Sequence, residues 1–153
     1  MPLVGLAAAA VMVACRSWQG TCFRSSCFFI MAGRIKPVVL IVEDEALLRS
    51  MASCIFSTEG FNVVEAATGD DAVSILEADP EVHLLFTDVH VPGSLDGLAL
   101  AWHVMKHWPG IRIIIVSGRV KLQPHEMPPG SRFCSKPYDP STVLNHAREM
   151  LSA

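Results

Sequence analysis

The chain repeats one pattern from residue 37 onward: a short apolar run rich in β-branched residues, then a longer segment of helical period. The run Val38–Val42 is apolar throughout, as expected for a strand that is buried on both faces. Strands that alternate with helices are joined by crossovers, which produce a parallel sheet with helices on both faces. We therefore predict an α/β doubly wound domain, with strands at residues 38–42, 61–66, 82–87, 111–116 and 131–135.

Each predicted helix has an apolar stripe and a recognisable end. The helices are expected at residues 46–58, 69–78 and 97–108 and after the capping pair Asp139-Pro140. In the first helix, the residues expected to face the core are Leu48, Met51, Ala52 and Ile55. The five cysteines include no C-x-x-C pair, so a zinc site is not expected. Cys54 falls in a helical pattern and Cys134 in a strand pattern, and we predict that both are buried, reduced core residues.

The segment between the fourth and fifth strands is too short and too rich in proline for a full helix. Only fifteen residues separate Ser117 from Phe133, and this segment contains Pro124, Pro128, Pro129 and Gly130. Proline lacks an amide hydrogen and clashes with the preceding helical turn. We therefore predict a short helix or a loop in place of the fourth helix.

Residues 1–36 differ from the rest of the chain: they hold four of the 12 basic residues and none of the 15 acidic ones. Residues 2–15 are uncharged, but this run is too short to cross a bilayer, which takes about 20 residues. No Lys or Arg precedes it, so the positive region of an export signal is missing. We predict that residues 1–36 are an N-terminal extension, disordered or mis-assigned, before a domain at residues 37–153. An export signal and a packing helix are the alternatives.

The predicted domain is acidic, because it holds all 15 acidic residues and eight of the 12 basic ones. Nucleic-acid binding needs Lys and Arg for the phosphates, and no stripe of these residues occurs. We therefore expect neither a nucleic-acid partner nor a membrane-spanning segment.

Polar residues follow four of the predicted strands: Glu43-Asp44, Asp88, Ser117 and Lys136. Ligands of open parallel sheets bind at the carboxyl ends of the strands, so these side chains are expected to converge. Clustered carboxylates repel one another, and Mg2+ relieves that repulsion through oxygen ligands while leaving room for a phosphate. A lone Asp at a strand end is ordinarily a cap. The presence of suitable polar residues at four strand ends together indicates instead that Asp88 is a nucleophile toward phosphorus.

The stretches VVLIVEDE, LLFTDVHVPGSLDG, IIIVSG and FCSKPY together resemble the receiver domain of bacterial two-component response regulators. The resemblance covers nearly everything after residue 36, and the Pro-Pro-Gly stretch before Lys136 is similar to single-domain receivers of alphaproteobacteria. It implies a flavodoxin-like (βα)5 fold with strand order 2-1-3-4-5. The loop after Asp88 is one residue longer than the commonest spacing in this family, within Gly93-Ser94-Leu95.

The resemblance also implies roles for individual residues. Asp88 matches the phosphoacceptor, Asp44 a direct Mg2+ ligand, Glu43 a ligand acting mostly through water, and the backbone carbonyl of His90 the third protein ligand.

Four further positions match the family's switch and its surroundings. Ser117 matches the switch hydroxyl, Lys136 its partner at the phosphoryl group, and Phe133 the aromatic that turns inward with the hydroxyl. Pro137 matches a proline that follows a cis peptide bond.

The resemblance implies phosphoryl transfer from a sensor histidine kinase or a histidine phosphotransfer protein in the cytoplasm. No output segment follows Leu151 in the sequence, so we expect signalling by contact with an unknown downstream protein, by phosphorelay or as a homodimer. Such a chain is a signalling domain and not an enzyme. A pseudo-receiver that binds without phosphorylation is an alternative. A haloacid-dehalogenase-like phosphatase fits poorly, because its general acid would stand where His90 is found.

Overall fold

The computed structural model describes residues 36–78 and 81–153. Strands and helices alternate along this part of the chain, as predicted, and a single 3-10 turn stands in the place of a fourth long helix. The elements are β1 Val38–Val42, α1 Ala46–Thr58, β2 Asn62–Ala66, α2 Gly69–Ala78, β3 Val82–Asp88, α3 Gly97–His107, β4 Arg112–Ser117, a 3-10 turn at Pro124–Glu126, β5 Arg132–Ser135 and α4 Pro140–Ser152.

The five strands form one sheet in the order β2-β1-β3-β4-β5, and all neighbouring pairs are parallel. This confirms the predicted flavodoxin-like topology. Because β1 and β3 are neighbours in this order and run parallel, their carboxyl ends lie side by side. The crossovers therefore bring residues distant in sequence to one edge of the sheet.

Two apolar layers cover the two faces of the sheet. Side chains of a strand alternate between faces, and β1 shows this directly: Leu40 and Val42 pack with α2 and α3, while Val39 and Ile41 pack with α1 and α4. All four are fully buried. Burying one such side chain contributes about 1.5–3 kcal/mol, so β1 anchors both layers.

Two helices begin at capping aspartates. Asp96 accepts a hydrogen bond from the amide of Ala99 at 2.8 Å, and Asp139 accepts one from the amide of Thr142 at 3.0 Å. The second cap confirms the predicted start of the last helix, since Pro140 is its first residue. In the proline-rich segment only Pro124–Glu126 is helical, which confirms that no full helix forms between β4 and β5.

Two predictions about α1 were wrong. Met51 is 55% exposed and Cys54 is also exposed, although both were expected in the core. The buried stripe of α1 is centred on Ala52 and Phe56, and Met51 and Cys54 lie on the solvent side of that stripe. Cys134 is buried in β5, as predicted.

The predicted extension at residues 1–36 lies outside the described residues, except for Lys36, and stays a prediction. Within residues 36–78 and 81–153, no helix has the length and apolar character needed to cross a membrane.

Gly97 is where α3 meets the end of β3. Its amide donates to the carbonyl of Val89 at 2.9 Å. A Cβ atom at this position would lie 1.6 Å from the backbone oxygen of Asp88 and 2.7 Å from Oγ1 of Thr87. The helix can therefore approach the strand this closely only because residue 97 has no side chain.

We predict that Gly97→Ala destabilises the fold by about 3 kcal/mol, because the new Cβ forces the backbone at Asp88 or α3 to move. Gly110→Ala is the matched control, since nothing lies within 4 Å of a Cβ at that position. Urea unfolding of both variants provides the measurement. Equal midpoints for the two variants would contradict the close-approach explanation.

Candidate functional site

Three charged side chains meet at the carboxyl edge of the sheet. Glu43 follows β1, Asp88 ends β3 and Lys136 follows β5, so they come from three strands and are brought together by the strand order. Glu43 is buried, and the side chains of Asp88 and Lys136 are 13% and 16% exposed. The sequence-based expectation that these strand ends converge is therefore met for these three residues.

The Lys136 ammonium group lies between two carboxylates. Its Nζ donates to Oε2 of Glu43 at 2.5 Å and to Oδ2 of Asp88 at 2.5 Å. The other oxygen of Asp88, Oδ1, accepts a hydrogen bond from the backbone amide of His90 at 3.1 Å. Both oxygens of Asp88 are thus oriented by donors. The peptide bond between Lys136 and Pro137 is cis, in agreement with the sequence-based prediction.

Burial and charge act in opposite directions on these groups. Burial raises the pKa of the Glu43 carboxyl above its ordinary 4.5, and the hydrogen bond from Lys136 offsets only part of that rise. Burial alone would lower the pKa of Lys136, but its bonds with Asp88 and Glu43 raise it above 10.5. Lys136 is therefore positively charged at neutral pH. For Glu43, the bond with Lys136 does not fully offset the cost of burying its negative charge.

Ser117 ends β4 next to Lys136, and Phe133 lies further back on β5, opposite Ile115. Ser117 is 1% exposed, and its hydroxyl oxygen accepts hydrogen bonds from the amides of Arg119 at 3.3 Å and Val120 at 3.2 Å. Its backbone carbonyl accepts from the amide of Lys136 at 2.8 Å. Phe133 is partly buried against the layer that includes α2 and α3. The hydroxyl therefore bonds to its own loop, and Phe133 is packed nearby on the adjacent strand.

Asp44 and Arg49 also lie at the carboxyl end of β1. Asp44 is exposed immediately after Glu43. Arg49, from the first turns of α1, donates to the backbone carbonyl of Glu43 at 2.7 Å and to that of Asp44 at 3.3 Å. Arg49 was not singled out in the sequence. Spacing along the sequence could not have indicated it, because its partners are two backbone carbonyls and the distant side chain of Glu65.

The donor set suits a hard cation. Glu43, Asp44, Asp88 and the carbonyl of His90 offer oxygen ligands. The three carboxylates outnumber the two cations at this edge, Lys136 and Arg49. In the described ranges, no three His, Cys, Asp or Glu side chains already form a cage around one point. The chemistry of the oxygen donors fits Mg2+, and an ion held there would keep several waters as further ligands.

The loop after Asp88 is fastened to α2. Asp70 accepts hydrogen bonds from the amide of Ser94 at 2.8 Å and from its hydroxyl, and the amide of Gly69 donates to the carbonyl of Pro92 at 3.3 Å. Gly93 has a φ of +125°, and a Cβ there would lie 2.6 Å from Oδ2 of Asp70. The stretch Gly93-Ser94-Leu95, where this loop is longer than the commonest spacing, is therefore held by Asp70. His90 belongs to the same loop, nearer to Asp88.

We predict that Asp70→Ala accelerates amide hydrogen exchange several-fold at Ser94, because the amide loses its acceptor. Asp71→Ala is the control, since Asp71 is in the same turn of α2 and Ser94 donates to Asp70 instead. The Ser94 bonds hold the pKa of Asp70 below 3.8, so its contribution is present above pH 3.8 and is lost as the pH falls through the lowered value. Unchanged exchange at Ser94 in Asp70→Ala at neutral pH would contradict the role assigned to Asp70.

We predict that Lys136→Gln destabilises the fold by about 2 kcal/mol at pH 8, because it leaves two partly buried carboxylates without a cation. In this variant the pKa of Glu43 rises further above 4.5, since burial and Asp88 still raise it and Lys136 no longer lowers it. The folded state then binds a proton that the unfolded state does not, so stability recovers as the pH falls from 8 to 5.

Urea unfolding at both pH values measures this effect, and Lys121→Gln is the control because Lys121 is exposed. A loss of stability in Lys136→Gln that is equal at pH 8 and pH 5 would refute the explanation.

The comparisons with known proteins agree with this geometry. The family model described as the response regulator receiver domain matches residues 39–148. The uncharacterized transcriptional regulatory protein YbdJ of Bacillus subtilis is 32% identical over 117 residues, which cover 74% of this chain and 50% of that protein. The chain spans about half the length of the first curated relatives it matches.

Solved structures of the same fold are also similar. A response regulator receiver protein from Sinorhizobium medicae superposes with a TM-score of 0.73 at 22% identity, covering 78% of this chain and 97% of that one. A chain of the CheX-CheY-BeF3-Mg+2 complex from Borrelia burgdorferi is 28% identical, with a TM-score of 0.66, and the match covers 74% of this chain and 87% of that one. On the matched residues, the topology and these similarities, the chain belongs to the receiver domain family of two-component response regulators.

Proposed function

We propose that residues 37–153 act as a receiver that accepts a phosphoryl group on Asp88 in a Mg2+-dependent reaction. The observation that carries this proposal is the environment of the Asp88 carboxylate. It lies at a strand end, partly exposed, with Oδ2 held by Lys136 and Oδ1 held by the amide of His90. Because the side chain is already oriented, its attack on phosphorus costs less conformational entropy than that of a freely rotating carboxylate.

The reaction forms one bond and breaks one. An oxygen of Asp88 bonds to the phosphorus of a phosphohistidine as the phosphorus–nitrogen bond of the donor breaks. The electron pair of that bond goes to the ring nitrogen, and a donor that is protonated on its other ring nitrogen leaves as a neutral histidine beside the aspartyl phosphate. Lys136 then donates to an oxygen of the transferred group in place of its present bond with Asp88. Bound Mg2+, held by Asp44, Asp88 and the His90 carbonyl with Glu43 acting through water, would neutralise charge on the phosphoryl oxygens.

The switch in this proposal begins at Ser117. Its hydroxyl oxygen now accepts from two amides of its own loop, and it would turn to donate to the phosphoryl group. Phe133 lies on the adjacent strand, two residues before the partner of Ser117, and in this proposal its ring would turn inward together with the hydroxyl. The new charge at Asp88 thus biases two arrangements of the segment that follows β4.

The proposed donor is a sensor histidine kinase or a histidine phosphotransfer protein. Family membership supports this choice, and so does the similarity to 117 residues of a protein named sensor kinase CckA of Brucella abortus. The proposed output is contact with a downstream protein, onward phosphorelay or homodimer formation.

Incubation with Mg2+ and a small acyl-phosphate donor is expected to add one phosphoryl group to the wild-type chain. Asp88→Asn is expected to show no adduct, because an amide cannot serve as the acceptor. Asp71→Asn is the matched control and is expected to be labelled like the wild type, since Asp71 lies in the first turn of α2. Intact-mass measurement reads all three, and chelation of Mg2+ is expected to abolish the adduct.

Two results would contradict the proposal. An unlabelled wild type that is folded and supplied with Mg2+ would favour the pseudo-receiver, in which Asp88 serves as a cap. Sustained hydrolysis of phosphate monoesters would favour the haloacid-dehalogenase-like phosphatase.

A further inference from the structure

Two histidines lie one turn apart near the end of α3. His103 and His107 are separated by four residues, so they share a face of the helix, and their ring centroids are 4.1 Å apart. His107 is exposed and His103 is partly exposed, so solutes can reach both rings. No part of the proposed phosphoryl chemistry uses them.

The tautomer of His107 is fixed by a hydrogen bond. Its Nδ1 lies 2.9 Å from the backbone carbonyl oxygen of His103, and a carbonyl oxygen only accepts, so Nδ1 carries the hydrogen. Nε2 of His107 therefore keeps its lone pair. Histidines that bind metals characteristically donate their other ring N–H to a backbone carbonyl or carboxylate, which sets the ring orientation.

The position of the pair also favours a cation. His107 is in the last turn of α3, where the carbonyl ends of the helix dipole are partly negative. Lys106 lies in the same turn and opposes this effect in part. The pair is remote from the carboxyl edge of the sheet, because the 11 residues of α3 span about 16 Å from Gly97 to His107.

We propose that His103 and His107 form a chelating site for a divalent transition-metal ion of the Ni2+, Cu2+ and Zn2+ class. Imidazole nitrogens suit these ions, whereas Mg2+ prefers oxygen ligands, so the site is chemically distinct from the acidic cluster. In the chain from residue 36 onward, apart from residues 79–80, no third His, Cys, Asp or Glu completes a metal cage. Water fills the remaining coordination positions.

The test is calorimetric titration of the full chain with Ni2+ in an excess of Mg2+, which occupies the acidic cluster. Ni2+ is preferred to Cu2+ as a probe because Cu2+ oxidises thiols. The wild type is expected to show a site that weakens by at least about tenfold in His103→Gln and in His107→Gln, since each variant loses one of two protein ligands. His125→Gln is the control, because His125 lies on the separate 3-10 turn and is expected to leave the affinity unchanged.

A further variant separates chelation from simple imidazole binding. His103→Gln combined with Lys106→His keeps the number of imidazoles, but positions 106 and 107 are adjacent and do not face each other. This variant is expected to bind as weakly as His103→Gln alone.

Trp108 offers an independent reading of where the ion binds, because its ring centroid lies 5.9 Å from those of both His103 and His107. Because the chain has three tryptophans, the fluorescence of Trp108 is taken as the part of the signal that Trp108→Phe removes. Quenching of that part by Ni2+ is expected in the wild type and is expected to need a Ni2+ concentration at least about tenfold higher in His107→Gln. Equal Ni2+ affinities in the wild type, His103→Gln and His107→Gln would overturn the proposal and place the ion elsewhere.

Discussion

The ion pairs of Lys136 are the interaction on which the site depends. One ammonium group bonds to Glu43, 93 residues away in sequence, and to Asp88, 48 residues away. Each bond crosses between strands, so it can form only after the sheet has assembled with β3 next to β1 and with β4 and β5 beyond it. The charges are costly to bury, and the apolar layers on both faces of the sheet provide the free energy that holds them there.

The same interaction leaves the site prepared for a ligand. The three carboxylates outnumber Lys136 and Arg49, and burial raises the pKa of Glu43 in spite of its bond to Lys136. A cluster that remains negative attracts a divalent cation, and a phosphoryl group would then give Lys136 a second anionic partner. The free site is therefore not at its electrostatic optimum, which is a general property of sites that must bind and release charge.

Much of this arrangement could be predicted from the sequence, because it depends on patterns that are local. Apolar runs and capping residues such as Asp139 gave the elements, and the prolines after Ser117 excluded a full helix. The sequence could not indicate which side of α1 faces the core, because Met51 and Ala52 are neighbours and both are compatible with burial. It also could not indicate that Asp70 holds Ser94, since that contact joins the first turn of α2 to a loop 24 residues later in the sequence.

The lack of a full helix between β4 and β5 changes which segment the proposed switch at Ser117 could move. In many receivers a helix follows β4, but here residues 118–131 contain a single 3-10 turn within the described chain. That turn is held to α3 through the indole N–H of Trp102, which donates to the carbonyl of Glu126 at 3.2 Å, and through the buried side chain of Met127. A segment with so few backbone hydrogen bonds has a low free energy of local rearrangement. Reorientation of Ser117 would therefore be transmitted through this loop and its contact with Trp102, and not through the displacement of a rigid helix.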